Sequence, residues 1–399
     1  MPGIYIHIPF CKQACNYCDF HFSTSLKNKD AFLQALKQEI SLQKNYFFSL
    51  PLSGGDAAGR GGLGRDGEAR EGSGLINTIY FGGGTPSLLS QKELQEIFDE
   101  LNKHFVIATD AEITLEANPD DLTKEKLKQL RATPINRLSI GIQSFFDEDL
   151  HYMNRAHNAQ MASDCVKAAQ DSGFDNITID LIYGTPTMSD EHWLQNLNKA
   201  FALGVQHISC YALTVESKTV LDHLIKTGRS KPIDEIQSAR QFEILLAEMK
   251  RNNFIQYEIS NFCKEGFYSL HNSSYWLKEH YLGLGPSAHS YNGVSRQWNV
   301  RNNNLYIQSL EKGELNFEKE ILTKDQQYNE YILTSLRTMW GTDLKRVREF
   351  GERYFNECMN EARTYIDSAD VILKDDRLFL TDKGKLIGDR IASDLFVLG

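Results

Sequence analysis

No stretch of this 399-residue chain approaches the roughly 18 uninterrupted apolar residues of a membrane-spanning helix. The opening Met1-Pro2-Gly3-Ile4-Tyr5 lacks a basic region followed by an apolar one, so no secretion signal is read and a cytoplasmic location is expected. An excess of positive charge is also missing. Lys and Arg number 43 against 53 Asp and Glu, giving a formal net charge of -10. That balance disfavours a surface built to neutralise phosphates, and nucleic acid is not expected as a partner. The seven cysteines are odd in number and make a poor disulfide framework. Cys165, Cys210, Cys263 and Cys358 stand alone and read as small buried apolar residues. The other three fall within eight residues and need another reason.

What is present is a repeating pattern. Up to about residue 210, short β-branched runs alternate with stretches of helical periodicity. The predicted strands are 3–8, 76–81, 112–117, 137–142, 176–182 and 207–211, with helices such as 31–43, 91–103 and 192–203. Ser90 followed by Glu93 predicts a capping box. Six such units predict an α/β fold, a partial (β/α)6 TIM-like barrel whose chemistry sits on the loops after the strands. Residues 1–215 form this core, and 53–74 reads as a mobile Gly-rich insertion almost empty of large apolar residues. Residues 216–320 complete and connect the barrel. Residues 321–399, with helices and a hairpin across Val371 to Leu380, predict a smaller winged-helix-like α+β domain.

The loop leaving the first strand reads Cys11-Lys12-Gln13-Ala14-Cys15-Asn16-Tyr17-Cys18, a CxxxCxxC motif. Three thiolates on one short loop can hold three corners of an iron–sulfur cube, because soft sulfur suits iron. Zinc completed by His7 or His21 is the inorganic rival. The strand ends that follow carry Gly82-Gly83-Gly84-Thr85, Glu116, Gln143 and Asp180, with Arg155 nearby. Glycines admit a close ligand, carboxylates and amides grip ribose hydroxyls, and a guanidinium pairs with a carboxylate. Each residue taken singly is also an ordinary cap, turn or surface group.

CxxxCxxC after the first strand of a βα barrel resembles the radical S-adenosylmethionine (SAM) superfamily. The resemblance implies a [4Fe–4S] cluster on Cys11, Cys15 and Cys18, with SAM on the open iron. One electron from the reduced cluster then splits SAM into methionine and a 5′-deoxyadenosyl radical. Within the superfamily, Tyr5 to Cys11, the GGGTPS run at Gly82 to Ser87, Glu116, Gln143, Arg155 and Asp180 are similar to the branch of oxygen-independent coproporphyrinogen III oxidase and the HemW heme chaperones. By that match Tyr5, Tyr17, Gly83, Gly84, Thr85, Glu116, Gln143, Arg155 and Asp180 are SAM contacts.

The oxidase pattern has a further cysteine two residues past the motif, where this chain has Phe20, and it carries an N-terminal extension. Both departures, and the HNxxYW run His271-Asn272-Ser273-Ser274-Tyr275-Trp276, resemble the HemW family. The resemblance implies binding of heme and its delivery to acceptor proteins such as respiratory enzymes. It also implies an electron donor for the cluster and membrane contact only through a partner. His271 is the candidate heme contact, with Tyr275 and Trp276 over the porphyrin face, and His289 is a second. The plain alternative for His271 is a hydrogen-bonded residue at a helix start. Whether the scaffold is an enzyme is left open. The alternatives are the oxidase, or another radical SAM enzyme acting on a tetrapyrrole, in either case an oxidoreductase of porphyrin metabolism.

Overall fold

The computed structural model describes residues 2–47 and 74–397, so the Gly-rich insertion expected over 53–74 lies outside the described residues except for Gly74. The first half alternates as its apolar pattern predicts: β1 (Gly3–Ile8), α1 (Lys29–Leu42), β2 (Ile76–Gly83), α2 (Gln91–His104), β3 (Ile107–Ala117), α3 (Lys124–Arg131), β4 (Arg137–Gln143), α4 (Asp147–Tyr152), α5 (Ala159–Asp171), β5 (Asn176–Tyr183), α6 (Asp190–Ala202) and β6 (His207–Ala212). β3 begins before the expected Glu112, at Ile107, because the polar, exposed Thr109 and Asp110 interrupt the apolar pattern that would announce its start. The capping box of α2 is present, Ser90 accepting from Glu93 N while the Glu93 carboxylate accepts from Ser90 N.

The connection beyond β6 is more regular than expected. It contains α7 (Val220–Lys226), α8 (Glu235–Arg251), β7 (Ile255–Glu258), β8 (Asn261–Cys263), α9 (Leu270–Trp276), β9 (Tyr281–Leu284), β10 (His289–Tyr291), β11 (Ser295–Asn299), α10 (Asn303–Glu311) and β12 (Phe317–Ile321). The chain closes with α11 (Lys324–Leu336), β13 (Thr342–Asp343), α12 (Leu344–Phe350), α13 (Glu352–Asp367), β14 (Val371–Lys374), β15 (Arg377–Leu380), α14 (Asp382–Lys385) and α15 (Gly388–Asp394). Among the described residues no helix is long and apolar enough to cross a membrane.

Two compact units result. The first comprises Met1–Thr178, Val215–Ser230 and Glu279–Glu320. Its strands run in the order β12-β11-β10-β9-β1-β2-β3-β4. β1 to β4 are parallel neighbours, β9 adds parallel to β1, and β10 and β11 continue antiparallel. Ile4, Ile6, Ile8, Ile79, Phe81, Leu115, Leu138 and Ile140 are fully or nearly fully buried, the composition of strands covered on both faces. The Glu39 carboxylate sits in this core. Glu39 accepts from Gly285 N at 2.7 Å, Tyr306 Oη at 2.5 Å and Asn299 Nδ2 at 2.6 Å. Burial raises its pKa against the pull of those three donors. The network ties α1 to the turn after β9, to β11 and to α10.

The second unit comprises Ile179–Thr214, Lys231–Lys278 and Ile321–Gly399. Its strands β5-β6-β8-β7 are backed by α6 and α8, where the fully buried Trp193 donates Nε1 to Gln241 O at 2.9 Å. Its last segment packs Tyr328, Ile332, Val347, Cys358, Leu378 and Ile391 around a three-stranded sheet of order β13-β15-β14. The expected hairpin is β14–β15, turning through Asp375 and Asp376 at φ 50 and 57, the left-handed pair of a tight two-residue turn. The last helix is two short ones. The break at Ile387 brings Gly388 against Leu380 and Ile259.

Candidate functional site

The loop leaving β1 presents Cys11, Cys15 and Cys18, each partly exposed. Its base is closed by Cys11 N on Ser23 O at 3.0 Å and Ser23 N on Pro9 O at 2.9 Å. Its far side is fastened to the turn after α4. Asn16 donates N to Met153 O at 3.1 Å and Nδ2 to Tyr152 O at 2.8 Å. Gln13 Nε2 reaches Asn154 O at 2.9 Å, and Asn154 Nδ2 returns to Ala14 O at 2.7 Å. Asn154 holds φ 55, a region Asn tolerates better than most side chains. The polypeptide alone therefore orders this loop. Burial pushes the Cys18 thiol up to about 12 and raises that of Cys11, so metal uptake there has to displace protons.

The ends of β2, β3 and β4 meet the same loop. A Cβ on Gly84 would lie 2.6 Å from Phe10 O and 2.7 Å from Ile8 O, and only glycine fits there. Thr85 hydrogen-bonds the Cys11 thiol and accepts from Asn118 Nδ2 at 3.2 Å. Glu116 accepts from Tyr80 Oη at 2.8 Å, and Tyr5 stacks on Tyr80. Burial, then the Glu116 charge, holds the Tyr5 phenol protonated. Gln143 ends β4 buried, at φ 65. Gly83 is partly buried, with φ 103.

Arg155 joins these parts. Its Nη1 lies 3.2 Å from Cys15 Sγ, and its Nη2 donates to Asn118 Oδ1 at 2.7 Å and Gly141 O at 3.0 Å. Burial disfavours its charge, but Tyr17 and Cys15 outweigh that and raise its pKa. Its Nε is buried without a partner, a donor left for a ligand. Burial raises the Tyr17 phenol although Arg155 opposes the shift. Sequence reasoning missed Asn118, the ion pair of Lys12 with Asp120 at 3.0 Å, and the Gln13–Asn154 ties. Short polar residues on loops look alike in a sequence, and only their convergence marks them.

His7 has both ring nitrogens engaged, Nδ1 3.3 Å from Tyr5 Oη and Nε2 2.8 Å from His21 O, while His21 Nε2 meets Asn303 Oδ1 at 2.6 Å. Neither is placed as a fourth zinc ligand. Among the described residues no three His, Cys, Asp or Glu side chains gather as ligands of one ion. A four-iron cube spreads its thiolates over separate irons and does not require that convergence.

His157, also buried, meets Ile142 O at 3.0 Å, one residue beyond the carbonyl that Arg155 holds. Burial first, then like charges, lowers His7 and His157 to about 4. The unfolded imidazoles, near 6.5, take up protons that the folded ones refuse, so stability is full above about pH 6.5 and falls as the pH drops toward 4. Each histidine is expected to remove about 2 kcal/mol between pH 7 and pH 5. Urea midpoints at the two pH values measure the loss, and His157→Gln should remove half of it. An unchanged slope in that variant would refute the assignment.

Asp180 lies partly buried on β5 in the second unit, beside the buried Cys210, whose thiol is raised by burial and then by that carboxylate. His271 is also in the second unit, at the start of α9, which Ser269 caps. It is 1% exposed, with Nε2 2.8 Å from Tyr275 Oη, so the HNxxYW run places its histidine and tyrosine one helical turn apart and in contact. Trp276 lies under the Arg337 guanidinium at 5.6 Å. His289, in the first unit, is exposed and stacks on Trp298.

Comparison with known proteins fits this arrangement. The radical SAM superfamily model matches residues 66–200, and the HemN C-terminal domain model matches 322–387. The chain is 34% identical over 395 residues to the heme chaperone HemW of Bacillus subtilis, covering 98% of both chains. The chain belongs to the HemW family of radical SAM proteins. The Mycobacterium tuberculosis HemW is 33% identical over 407 residues, covering 98% of this chain and 94% of that one. Among solved structures, Escherichia coli coproporphyrinogen III oxidase (HemN) superposes with a TM-score of 0.81 at 22% identity, over 99% of this chain and 90% of that one. The expected α/β radical SAM fold with a C-terminal domain is thereby shown. Membership of the superfamily implies a [4Fe–4S] cluster and SAM.

Proposed function

We propose that this HemW-family chain is a cytoplasmic heme chaperone, which binds heme and delivers it to acceptor proteins such as respiratory enzymes. The full-length similarity to proteins named heme chaperone carries that reading. Cys11, Cys15 and Cys18 would hold three irons of the cluster. When bound, the reduced cluster would supply one electron to the sulfonium of SAM. The chain's own residues do the holding. Arg155 keeps a charge beside Cys15 and a spare Nε donor for the SAM carboxylate. Glu116 and Gln143 offer acceptor and amide groups at neighbouring strand ends, Gly83 keeps side-chain bulk away from the His7 ring and Gly84 from the backbone of Ile8 and Phe10, and Thr85 hydrogen-bonds the Cys11 thiol. Tyr5 and Tyr17 stay protonated and wall the site.

His271 is the proposed heme contact, exchanging its bond to Tyr275 for the iron. After anaerobic reconstitution, hemin titration by difference spectroscopy should give a stable complex, and His271→Ala should weaken it with iron content unchanged. Incubation with coproporphyrinogen III, SAM and a reductant should leave all carboxyl groups in place. Loss of two of them would replace the chaperone reading with the oxidase.

A further inference from the structure

Beside the cysteine loop, wholly within the first unit, lies a cavity of about 250 Å³ that the function above does not use. Its wall is formed by the residues just past the loop and by the Arg301-Asn302-Asn303-Asn304 run that opens α10. The polar valences of that run are one-sided. Asn302 Oδ1 accepts from Leu305 N at 3.0 Å, Asn303 Oδ1 meets His21 Nε2 at 2.6 Å, and Asn304 Oδ1 accepts from Asn28 Nδ2 at 2.8 Å. Each carboxamide thus spends its oxygen inside the protein and keeps its NH2 donors in hand. Arg301 gives one N–H to Asp19 O and retains the rest of its guanidinium. His21 is pushed toward its neutral form, by burial first, so the arginine is the cation of the wall.

A recess that gathers the N–H donors of this run around one guanidinium, with Asn28 Oδ1 as an acceptor on the same wall, suits anionic oxygen, and its volume admits one arm of a ligand rather than a macrocycle. Resting on the reading that this chain binds heme, and not on the His271 contact, we propose that this cavity binds a carboxylate, the propionate arm of the porphyrin. The same wall is fastened to the cysteine loop, through Arg301 on Asp19 and through Ser23 on Cys11, so the bound arm lies next to the segment that carries the thiols.

The test compares hemin with hemin dimethyl ester, whose propionates are masked, on the anaerobically reconstituted chain. Arg301→Met is expected to weaken hemin binding about tenfold and to leave the ester unchanged. Asn303→Asp keeps the acceptor for His21 and replaces the donor with a negative oxygen, so it should weaken hemin at least as much. Circular dichroism and iron content should match the parent in both variants. Equal hemin affinity in parent and Arg301→Met, or equal losses for hemin and its ester, would overturn the propionate site alone. A parent chain that binds no hemin would overturn the chaperone reading and this inference with it. Calorimetry with inorganic phosphate separates the other source of anionic oxygen: phosphate binding that Arg301→Met abolishes while hemin is unaffected would assign the cavity to a free anion and also overturn the proposal.

Discussion

Cys15→Ser is expected to yield a folded chain that takes up almost none of the iron and sulfide of the parent. A serine oxygen is a hard, weakly acidic donor and a poor substitute for thiolate on iron, and a cube left with two protein ligands is lost to solvent. The fold should survive because the loop is closed by Cys11 N on Ser23 O and by the bonds of Gln13 and Asn16 to Tyr152, Met153 and Asn154, none of which uses the Cys15 sulfur. Urea stability without iron should stay within about 0.5 kcal/mol of the parent. Iron and sulfide analysis with the visible spectrum after anaerobic reconstitution reads the first effect. Cys165→Ser, at a buried position on α5, is the control and should load like the parent. A Cys15→Ser chain with a full complement of cubane iron would remove Cys15 from the ligand set.

The second large effect belongs to Arg155→Met. Methionine fills part of the volume but abandons the donors that reach Cys15 Sγ, Asn118 Oδ1 and Gly141 O. Two partly buried acceptors without a partner cost about 3 kcal/mol together. Loss of the charge opposite the SAM carboxylate should lower SAM affinity by about tenfold or more in equilibrium dialysis of the reconstituted protein. Arg155→Lys should restore part of the affinity, since it keeps the charge, and little of the stability, since it lacks the fork that spans Asn118 and Gly141. Unchanged SAM binding by Arg155→Met with its cluster intact would detach Arg155 from the cofactor.

The strands that carry the site were legible because their apolar runs are long and β-branched; β1 was read to the residue as Gly3 to Ile8. The Gly82-Gly83-Gly84 run and the CxxxCxxC loop were legible because their residue types are costly anywhere else. Other features were not. β12 is exposed along its whole length and β13 has two residues, so neither carries a periodic signal. Glu39 lies on the buried stripe of α1 with Phe32, Leu36 and Ile40, where a lone carboxylate reads as a surface residue until Tyr306 and Asn299 arrive from far along the chain. Asn118 acts through its bonds to Arg155 and Thr85 and His157 through its bond to Ile142 O, which depend on a turn of the backbone rather than on composition.

The place of β1 bears on how this protein is made. Of the described strands β1 comes first along the chain, yet it is an interior strand, held between β2 and the late β9. At roughly 5–20 residues per second, synthesis from one partner to the other lasts on the order of tens of seconds. During that interval one flank of β1 is an open ladder of amide and carbonyl groups, and the Glu39 carboxylate still lacks Gly285, Asn299 and Tyr306. The nascent segment that carries β1 is thus a template for stray strands until β9 closes it.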